Sequence, residues 1–208
     1  MKVLVTGANG MLGQDLCPIL SQNGYDVIPT DRKIMDITNF ETVNSFLTSQ
    51  KPDIVIHCAA YTNVDNAETD LETARIVNSK ATENLAKICA KNDITLVYIS
   101  TDYVFDGRKS EPYKTTDTPN PVNNYGLTKF EGENAVKKYC SKYYICRTSW
   151  LYGIYGKNFV ETMISFKDKP EIKVVDDQIG CPTWTVDLAN GIVKILKEKS
   201  YGIYHVCG

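Results

Sequence analysis

The sequence lacks several features that would mark whole classes of protein. None of its apolar runs approaches the roughly 20 residues that cross a bilayer, so no membrane-spanning helix is expected. The net charge of −2 provides no positive field that would attract nucleic acid. The N-terminus leads directly into a short apolar run and a glycine-rich turn rather than a signal peptide. These absences predict a cytoplasmic protein that binds neither nucleic acid nor membranes.

Paired cysteines and clustered histidines are also lacking. The seven cysteines include no C-x-x-C pair, and several lie within apolar segments, as Cys58 and Cys146 do. In a reducing compartment free cysteine behaves as a small hydrophobic residue, so we expect buried, unpaired thiols. His57 and His205 are distant in sequence and lack the spacing of metal ligands. No metal site is predicted, and both histidines are expected to be structural.

Apolar runs typical of buried strands alternate with stretches of helical period in the first half of the chain. The strand-like runs cover residues 3–5, 27–28, 54–56 and 96–99, and the helical stretches cover residues 12–20, 40–47 and 71–88. Continuous β-branched strands that alternate with helices favour a parallel sheet covered on both faces. The predicted fold class is α/β, a Rossmann-type doubly wound parallel sheet. We interpret Thr38 and Glu41 as a capping box that begins the second helix.

Residues 102–124 interrupt this alternation with three prolines and no apolar period. Loops of this length in compact domains are often functional, and we interpret this one as an ordered loop or lid. Beyond it we predict helices over 129–139 and 185–197 and strands over 144–148 and 202–206. We assign residues 1–150 to a cofactor-binding domain and residues 151–208 to part of a substrate-binding lobe interleaved with it. Because the sequence stops directly after a strand, we expect this small C-terminal lobe to be incomplete.

Three glycines follow the first predicted strand in a G-x-x-G-x-x-G pattern. Gly7 permits a tight turn, Gly10 lets the backbone approach a pyrophosphate, and Gly13 lets the helix pack closely on the strand. The free N–H groups at the start of that helix would bind the pyrophosphate. The pattern therefore predicts a nicotinamide-dinucleotide site at this turn. The other residues assigned to the turn are Asn9, Met11 and Leu12.

The end of the second predicted strand carries two residues that bear on the choice of cofactor. Asp31 lies where an acid usually accepts hydrogen bonds from the adenosine ribose of NAD. Arg32, directly after it, could instead hold the 2′-phosphate of NADP. The pattern leaves NADH and NADPH both open, with a preference for NAD or for dual use.

Tyr125 and Lys129 stand four residues apart where a helix begins, so their side chains share one face. A buried ammonium beside a phenol stabilises the phenolate and is expected to lower the pKa of the tyrosine toward the working pH. Such a tyrosine can serve as a general acid or base. Together with the glycine turn, this pair predicts an oxidoreductase active site.

These motifs resemble the extended short-chain dehydrogenases. The resemblance rests on residues 6–13, the Tyr125-x-x-x-Lys129 pair and residues 100–105. Residues 58–65, 147–153 and 177–183 make the chain similar, over essentially its whole length, to the dTDP-4-dehydrorhamnose reductase family. That resemblance implies NADH- or NADPH-dependent reduction of the 4-keto group of dTDP-4-dehydro-6-deoxy-L-mannose to dTDP-L-rhamnose. The implied process is the biosynthesis of nucleotide sugars and cell-surface polysaccharide.

The resemblance also implies roles for individual residues. Tyr125 would protonate the developing alkoxide, Thr101 would hydrogen-bond the same oxygen, and Lys129 would also hold the nicotinamide ribose. Asn78 matches a position that in many relatives supports this lysine through water. The remaining implied cofactor contacts are Asp36, Ile37, Ala59, Ala60 and Tyr61, and the implied substrate contacts are Thr62, Asp102, Tyr103 and Trp150. The resemblance allows a homodimer, but Asp15 and Asp187 are not assigned to a metal at its interface.

Three rival functions remain beside the reductase. A nucleotide-sugar 4,6-dehydratase is disfavoured, because that class has a glutamate where this chain has Tyr103. A nucleotide-sugar epimerase needs fewer marker residues and would retain its NAD tightly. A non-catalytic, cofactor-binding regulatory subunit is disfavoured by the intact set of Thr101, Tyr125 and Lys129.

Overall fold

A computed structural model describes all 208 residues, which form a six-stranded sheet covered by helices and a small second sheet. The strands are β1 (Lys2–Thr6), β2 (Asp26–Thr30), β3 (Ile54–His57), β4 (Thr95–Thr101), β5 (Tyr143–Thr148), β6 (Leu151–Tyr152), β7 (Thr183–Trp184) and β8 (Gly202–His205). The helices are α1 (Met11–Gln22), α2 (Phe40–Gln50), α3 (Val64–Thr69), α4 (Leu71–Arg75), α5 (Ala81–Lys91), α6 (Asn124–Tyr139), α7 (Phe159–Ser165) and α8 (Thr185–Glu198). None of these helices is long and apolar enough to cross a membrane.

The strand order of the main sheet places a topological switch point between β1 and β3. The order is β2-β1-β3-β4-β5-β8, and all neighbouring strands are parallel. From β1 the chain builds one edge with β2 and then returns to build the other edge from β3 onward. In open α/β sheets ligands bind outside the carboxyl ends of the strands at such a point. The predicted doubly wound fold is confirmed, and its switch point is where a ligand is expected.

Alternating side chains of the strands supply two hydrophobic cores, one on each face of the sheet. Val3 and Val5 face a core that α1 and α8 cover, and Leu4 faces a core that α2, α5 and α6 cover. All three side chains are fully buried. Because successive strand residues point to opposite faces, continuous apolar strands need helices on both sides of the sheet.

The start of α2 differs from the sequence prediction by one residue. The side chain of Asn39 caps the helix by accepting a hydrogen bond from the N–H of Thr42 at 3.1 Å. The Thr38 hydroxyl donates instead to the carboxylate of Asp36, at 2.7 Å. The predicted capping box of Thr38 and Glu41 is therefore wrong, because a neighbouring carboxylate engages the threonine.

α6 begins at Asn124 rather than at residue 129. The Asn123 side chain accepts a hydrogen bond from the N–H of Gly126 at 2.7 Å, and this cap stabilises an extra turn that lacks an apolar pattern. Tyr125 and Lys129 consequently both lie near the N-terminus of α6. Before the helix, the predicted loop is confirmed from Phe105 onward, whereas its first residues, Asp102–Val104, form a 3-10 helical turn.

The long helix predicted over residues 71–88 has an irregular middle. α4 passes through a π-helical segment, Ile76–Lys80, before the chain continues as α5. π-helical turns are rare and occur frequently at functional sites. Asn78 lies in this turn and is almost completely buried.

After β5 the chain leaves the main sheet, and it returns through α8, which packs on the sheet, and β8, which pairs with β5. Between these elements, β6 and β7 form a two-stranded parallel sheet, and no side chain of α7 is buried. α8 then packs against α1, and β8 forms the edge of the main sheet beside β5.

The cysteines are free, but two of them are not buried. Cys181 and Cys207 are exposed, so the expected burial is wrong for these two residues. Both lie in irregular segments outside the main sheet and its helices, where no core covers them. The cysteines that are buried or partly buried are Cys17, Cys58, Cys89, Cys140 and Cys146.

Candidate active site

A cleft of about 970 Å³ opens at the carboxyl ends of the central strands. Small-molecule sites typically have volumes of roughly 300–1,000 Å³, so this cleft is large for its kind. The predicted site residues that line it are Gly7, Asn9, Gly10, Met11, Leu12, Gly13, Asp31, Arg32, Asp36, Ile37, Ala59, Ala60, Tyr61, Thr62, Thr101, Asp102, Tyr103, Tyr125, Lys129 and Trp150. Of the predicted site residues, Asn78 alone lies behind the cleft wall. The fold therefore brings residues from distant parts of the sequence to one place.

The glycine turn between β1 and α1 has the shape of a phosphate cradle. Gly7 has a φ of 65°, and a Cβ atom there would lie 2.8 Å from the backbone nitrogen of Ala59. A Cβ at Gly13 would lie 2.5 Å from the carbonyl oxygen of Gly7, so the helix and the turn are in close contact. A Cβ at Gly10 would approach only that same oxygen, at 3.1 Å. The open side of the turn at Gly10 therefore leaves space for a ligand.

The N-terminus of α1 is free to bind an anion. No side chain caps this helix, and its first turn contains no acidic residue. Uncapped N–H groups and the helix dipole favour a negative group at such an end. The cradle and the uncapped helix thus fit the pyrophosphate of a dinucleotide.

Asp31 lies at the end of β2 with both carboxylate oxygens engaged by the protein. One oxygen accepts a hydrogen bond from the Asn9 side chain at 2.6 Å. The other accepts from the N–H groups of Lys33 and Ile34, each at 2.9 Å. These contacts fix the carboxylate at the edge of the cleft, where it closes the glycine turn from one side.

The Arg32 side chain is accessible to a ligand. Its side chain is 87% exposed, and its guanidinium bonds the carboxylate of Asp36 at 3.2 Å. Hydrogen bonds from Thr38 lower the pKa of Asp36, and the Arg32 charge adds to this effect. An exposed ion pair contributes little to stability, so Arg32 can reorient toward a phosphate at small cost.

His57, at the end of β3, holds the backbone beside the cleft. Its ring nitrogens lie 2.8 Å from the Thr6 hydroxyl and 3.2 Å from the Thr82 hydroxyl, and the Thr6 oxygen accepts a hydrogen bond from the N–H of Ala59. Burial lowers the pKa of His57 to about 3, with a smaller effect from the charge of Lys129. The imidazole is therefore neutral and links two hydroxyls.

Asn78 hydrogen-bonds Tyr61 and Thr128. Its amide oxygen accepts a hydrogen bond from the Tyr61 N–H at 2.8 Å, and its nitrogen donates to the Tyr61 carbonyl at 3.1 Å. The same nitrogen donates to the Thr128 hydroxyl at 3.1 Å. The π-helical turn directs the amide at the strand-end loop, and support of Lys129 by Asn78 through water stays a prediction. Asn78 fixes the segment that lines the cleft after β3.

Lys129 lies buried beneath Tyr125 on the same side of α6. Its ammonium donates a hydrogen bond to the carbonyl of Ile99 at 2.7 Å. It also lies 4.1 Å from the centre of the Tyr98 ring, a favourable cation–π distance. Burial lowers the pKa of Lys129 to about 7, and the negative charge of Glu133 opposes this shift.

Tyr125 lies beside Thr101, the last residue of β4. The Thr101 hydroxyl donates to the Asp102 carboxylate at 3.0 Å and accepts from the Tyr103 N–H at 3.2 Å. The ring of Tyr103 meets that of Tyr125 edge-on, with centroids 5.7 Å apart. These contacts fix Thr101 and the phenol on one side of the cleft.

Burial raises the pKa of Tyr125 to about 12, although hydrogen bonding with Thr101 acts in the opposite direction. The charge of Asp102 raises this pKa further. The expected net fall of the Tyr125 pKa toward the working pH is wrong for this arrangement, because burial outweighs the stabilisation of the phenolate that Lys129 can supply. Burial is the largest influence on both pKa values: it raises that of Tyr125 and lowers that of Lys129. Tyr125 consequently keeps its proton at neutral pH.

Replacing Lys129 with methionine should stabilise the folded chain in a pH-dependent way. Below about pH 7 the folded chain holds a buried ammonium at Lys129, which destabilises it. Between about pH 7 and the ordinary lysine pKa, Lys129 is protonated in the unfolded chain but not in the folded chain. Stability of the parent therefore rises with pH over this range. The Lys129→Met variant lacks this penalty. We expect it to exceed the parent by about 2 kcal/mol in unfolding free energy near pH 6, and by much less near pH 9. Urea denaturation at the two pH values measures the difference.

The control for this experiment is Lys137→Met, which removes an exposed lysine from the same helix. Its unfolding free energy should follow that of the parent at both pH values. If the difference in unfolding free energy between Lys129→Met and the parent did not change with pH, the pKa of Lys129 would not be lowered in the folded chain.

The outer part of the cleft carries the residues expected to face a substrate. Burial raises the pKa of Asp102, while Thr62 is exposed. Trp150 is 41% exposed and has a φ of 45°, which is rare for a bulky residue and marks backbone strain at functional sites. Its carbonyl accepts a hydrogen bond from the N–H of Thr183 at 3.3 Å, which ties it to β7. An aromatic ring is thus held at the mouth of the cleft.

Thr148, Ser149 and Lys157 are among the lining residues that were not predicted from the sequence. Thr148 and Ser149 follow β5 at its carboxyl end, and this position alone could have indicated them. Lys157 also lines the cleft, in an irregular segment for which no sequence pattern existed. It adds a positive charge near the start of α1.

The fold and the cleft together define a dinucleotide-binding protein of the short-chain dehydrogenase class. The family model described as the RmlD substrate binding domain matches residues 1–208. The chain belongs to this family.

Individual relatives agree with this assignment. A dTDP-4-dehydrorhamnose reductase from Aggregatibacter actinomycetemcomitans is 42% identical over 215 residues, covering 100% of this chain and 73% of the relative. The spore coat polysaccharide biosynthesis protein SpsK of Bacillus subtilis is 43% identical over 206 residues, covering 99% of this chain and 72% of SpsK. The crystal structure of dTDP-4-dehydrorhamnose reductase from Bacillus anthracis, in complex with NADP, superposes with a TM-score of 0.96. It is 47% identical, and the match covers 100% of this chain and 74% of that one.

Proposed function

We propose that this chain reduces the 4-keto group of dTDP-4-dehydro-6-deoxy-L-mannose to dTDP-L-rhamnose with NADH or NADPH. The observation that carries the proposal is a protonated Tyr125 beside Thr101, in the same cleft as a turn that fits a dinucleotide. Relatives named dTDP-4-dehydrorhamnose reductase, with more than 40% identity over almost the whole chain, support the choice of substrate. The proposed process is nucleotide-sugar and polysaccharide biosynthesis, and the name of SpsK refers to the biosynthesis of spore coat polysaccharide.

The chain's own residues supply the proton chemistry. When bound, a reduced nicotinamide supplies the hydride that reaches the sugar C4. The Tyr125 hydroxyl then gives its proton to the oxygen of the former carbonyl, and the Thr101 hydroxyl turns its proton from Asp102 to the same oxygen and donates a hydrogen bond to it. The Lys129 ammonium, on the same side of α6, stabilises the phenolate that remains until solvent returns the proton.

The remaining predicted residues are assigned by their place in the cleft. We propose that the glycine turn holds the pyrophosphate, that Lys129 also holds the nicotinamide ribose, and that Ala59, Ala60 and Tyr61 line the cofactor. Thr62, Asp102, Tyr103 and Trp150 would contact the nucleotide sugar. The Trp150 ring suits a sugar face or a base, because it is large and partly apolar.

We also propose a division of labour along the chain. Residues 1–150 would bind the cofactor, and residues 151–208 would contribute to the substrate lobe. Leu151 of β6 lines the cleft and pairs with Thr183 of β7, which supports this division. A homodimer remains a prediction from the family resemblance, and light scattering of the purified chain measures it.

Arg32→Ala should weaken the use of NADPH and leave that of NADH nearly unchanged. The exposed guanidinium is the cation best placed for a 2′-phosphate, whereas both oxygens of Asp31 are already engaged. We expect KM for NADPH to rise about tenfold, which corresponds to roughly 1.4 kcal/mol for one lost charged hydrogen bond. Steady-state kinetics with each cofactor measure this change.

Lys33→Ala provides the matched control, because it removes the neighbouring exposed cation. Its KM for either cofactor should stay within about twofold of the parent value. Equal losses with NADH and NADPH in Arg32→Ala would contradict a role in phosphate recognition.

The function itself is tested by following the oxidation of NADH and NADPH in the presence of dTDP-4-dehydrorhamnose. Formation of dTDP-rhamnose, identified by mass spectrometry, supports the proposal. Interconversion of a nucleotide sugar with retained NAD would instead identify an epimerase. Dinucleotide binding without any turnover would favour a cofactor-binding partner of another enzyme.

A further inference from the structure

A fully buried ion pair lies directly behind the catalytic residues. Glu133 is 0% exposed and Arg147 is 3% exposed. The guanidinium donates two hydrogen bonds to the carboxylate, at 2.8 and 2.7 Å. The Ser100 hydroxyl donates a third, at 2.6 Å. Neither Glu133 nor Arg147 was expected from the sequence to take part in the site.

This pair joins three elements of the site. Glu133 belongs to α6, Ser100 to β4 and Arg147 to β5, and Ser100 is the direct register partner of Arg147. Ser100 precedes Thr101, so the bond to Glu133 is one residue away from the threonine of the cleft. The carboxylate therefore fixes the distance between α6 and the end of β4.

Glu133 also faces Lys129 along the helix. Residues four apart lie on the same side of an α-helix, and the negative charge of Glu133 is the largest influence that opposes the loss of charge at Lys129. Tyr125 lies a further four residues toward the N-terminus. One side of α6 thus carries the phenol, the ammonium and the carboxylate in sequence.

Stability alone does not explain why this pair is ionic. A buried ion pair is often no more stable than well-packed apolar residues of the same volume, because both charges are removed from water. An apolar pair could join the same elements, but it would leave the Lys129 ammonium without a buried counter-charge.

We propose that Glu133 is a positioning residue for the reduction: held by Arg147 and Ser100, its carboxylate aligns α6 with β4 and keeps Lys129 in its charged form. The inference rests on the proposed function, since it concerns the ammonium that stabilises the Tyr125 phenolate. Glu133 does not touch the cleft and acts through Lys129 and Ser100.

The ionisable groups that face Lys129 come from three elements. Tyr98 on β4 lies under the ammonium, and its pKa is raised well above the usual range by burial. His57 and Cys58 approach from the end of β3, the first neutral and the second with a pKa raised by burial. Tyr125 lies on α6 itself and keeps its proton. Glu133 is therefore the one anionic group among these neighbours at neutral pH.

The test compares the pH dependence of kcat in the parent and in Glu133→Gln. Loss of the carboxylate should move the alkaline limb, where Lys129 loses its proton, to lower pH by about one unit. On that limb kcat should fall about tenfold. The matched control is Glu131→Gln. Glu131 lies on the same helix, α6, but it is partly exposed, and its carboxylate accepts two hydrogen bonds from Arg75 of α4. Its limb should coincide with that of the parent.

A second variant and a second readout guard against misfolding and against failure of the proposed function. The double variant Glu133→Leu with Arg147→Met removes both charges together, leaves no unpaired ion, and should show the same shift. NMR titration of isotope-labelled lysine, with Lys129 assigned through Lys129→Met, follows the ammonium without any turnover. A parent that fails to reduce the keto-sugar would thus end the proposed function but not this test.

The result expected from NMR is a lower titration point for Lys129 in Glu133→Gln and in the double variant than in the parent. Unchanged titration of Lys129 in both variants would overturn the proposal, whatever happens to kcat. A fall in kcat with an unmoved alkaline limb would likewise reduce Glu133 to a structural residue.

Discussion

Tyr125→Phe is expected to lower kcat about 10³-fold and to leave the dissociation constant for NADPH within about twofold of the parent value. The substitution removes one hydroxyl and keeps the ring that packs edge-on against Tyr103. Asp102 and Lys129 are engaged by Thr101 and Ile99, so Tyr103, which also keeps its proton at the cleft, is the rival donor that this variant distinguishes from Tyr125. Steady-state kinetics and calorimetric titration of the cofactor measure the two quantities.

The matched control for this prediction is Tyr139→Phe. Tyr139 lies at the other end of α6 and donates a hydrogen bond to Glu83 at 3.0 Å, so this variant also loses one phenol from the same helix. Its kcat should equal that of the parent. A Tyr125→Phe enzyme that retained more than about a tenth of the parent kcat would identify a different proton donor.

The pKa values of Tyr125 and Lys129 are separated in the order that the proposed reduction needs. With the pKa of Tyr125 at about 12 and that of Lys129 at about 7, the phenol holds its proton over the whole range in which the ammonium titrates. Tyr125 is thus protonated throughout the neutral pH range, whereas the charge of Lys129 changes within it. Under the proposed mechanism, a carboxylate behind Lys129 is therefore expected to affect the rate more than one beside Tyr125.

Local patterns in the sequence predicted much of this site. The glycine turn and the Tyr125–Lys129 pair each lie within a single strand-to-helix or helical segment, where spacing along the chain determines geometry. The parallel sheet then brings the segments together, because the ends of neighbouring strands share one edge. Residues that follow strands were therefore found correctly in the cleft, from Asp31 to Trp150.

Features that depend on competition between neighbours could not be predicted. Thr38 had the right spacing for a capping box, but Asp36 engages its hydroxyl and Asn39 caps instead. The burial of Tyr125 together with Lys129 reversed the expected direction of the tyrosine pKa. The partner of Glu133, Arg147, comes from another strand, and no spacing within the sequence links the two.

Gly13→Ala is expected to destabilise the fold by about 3 kcal/mol and to abolish dinucleotide binding, whereas Gly10→Ala should affect binding alone. A Cβ at Gly13 would lie 2.5 Å from the Gly7 carbonyl oxygen and 2.6 Å from the Ala8 Cα atom. Both are backbone atoms, so the turn itself must shift. Gly10 has a φ of −78° and a ψ of 172°, which alanine adopts readily.

The Gly10→Ala methyl group would instead occupy the open side of the cradle. We expect the unfolding free energy to change by less than about 0.5 kcal/mol, and the dissociation constant for NADPH to rise at least about tenfold. Thermal unfolding and calorimetric titration of the same samples measure both effects.

Gly24→Ala separates these local effects from the general consequences of losing a glycine. Gly24 follows α1 with a φ of 82°, and no atom lies within 4 Å of an added Cβ. This variant should lose about 1 kcal/mol through backbone strain and bind NADPH like the parent. Stability and affinity would then vary independently across the three glycines, as they must if Gly13 shapes the cradle and Gly10 leaves it open. If Gly10→Ala bound NADPH as tightly as the parent, the glycine turn would not be part of the cofactor site.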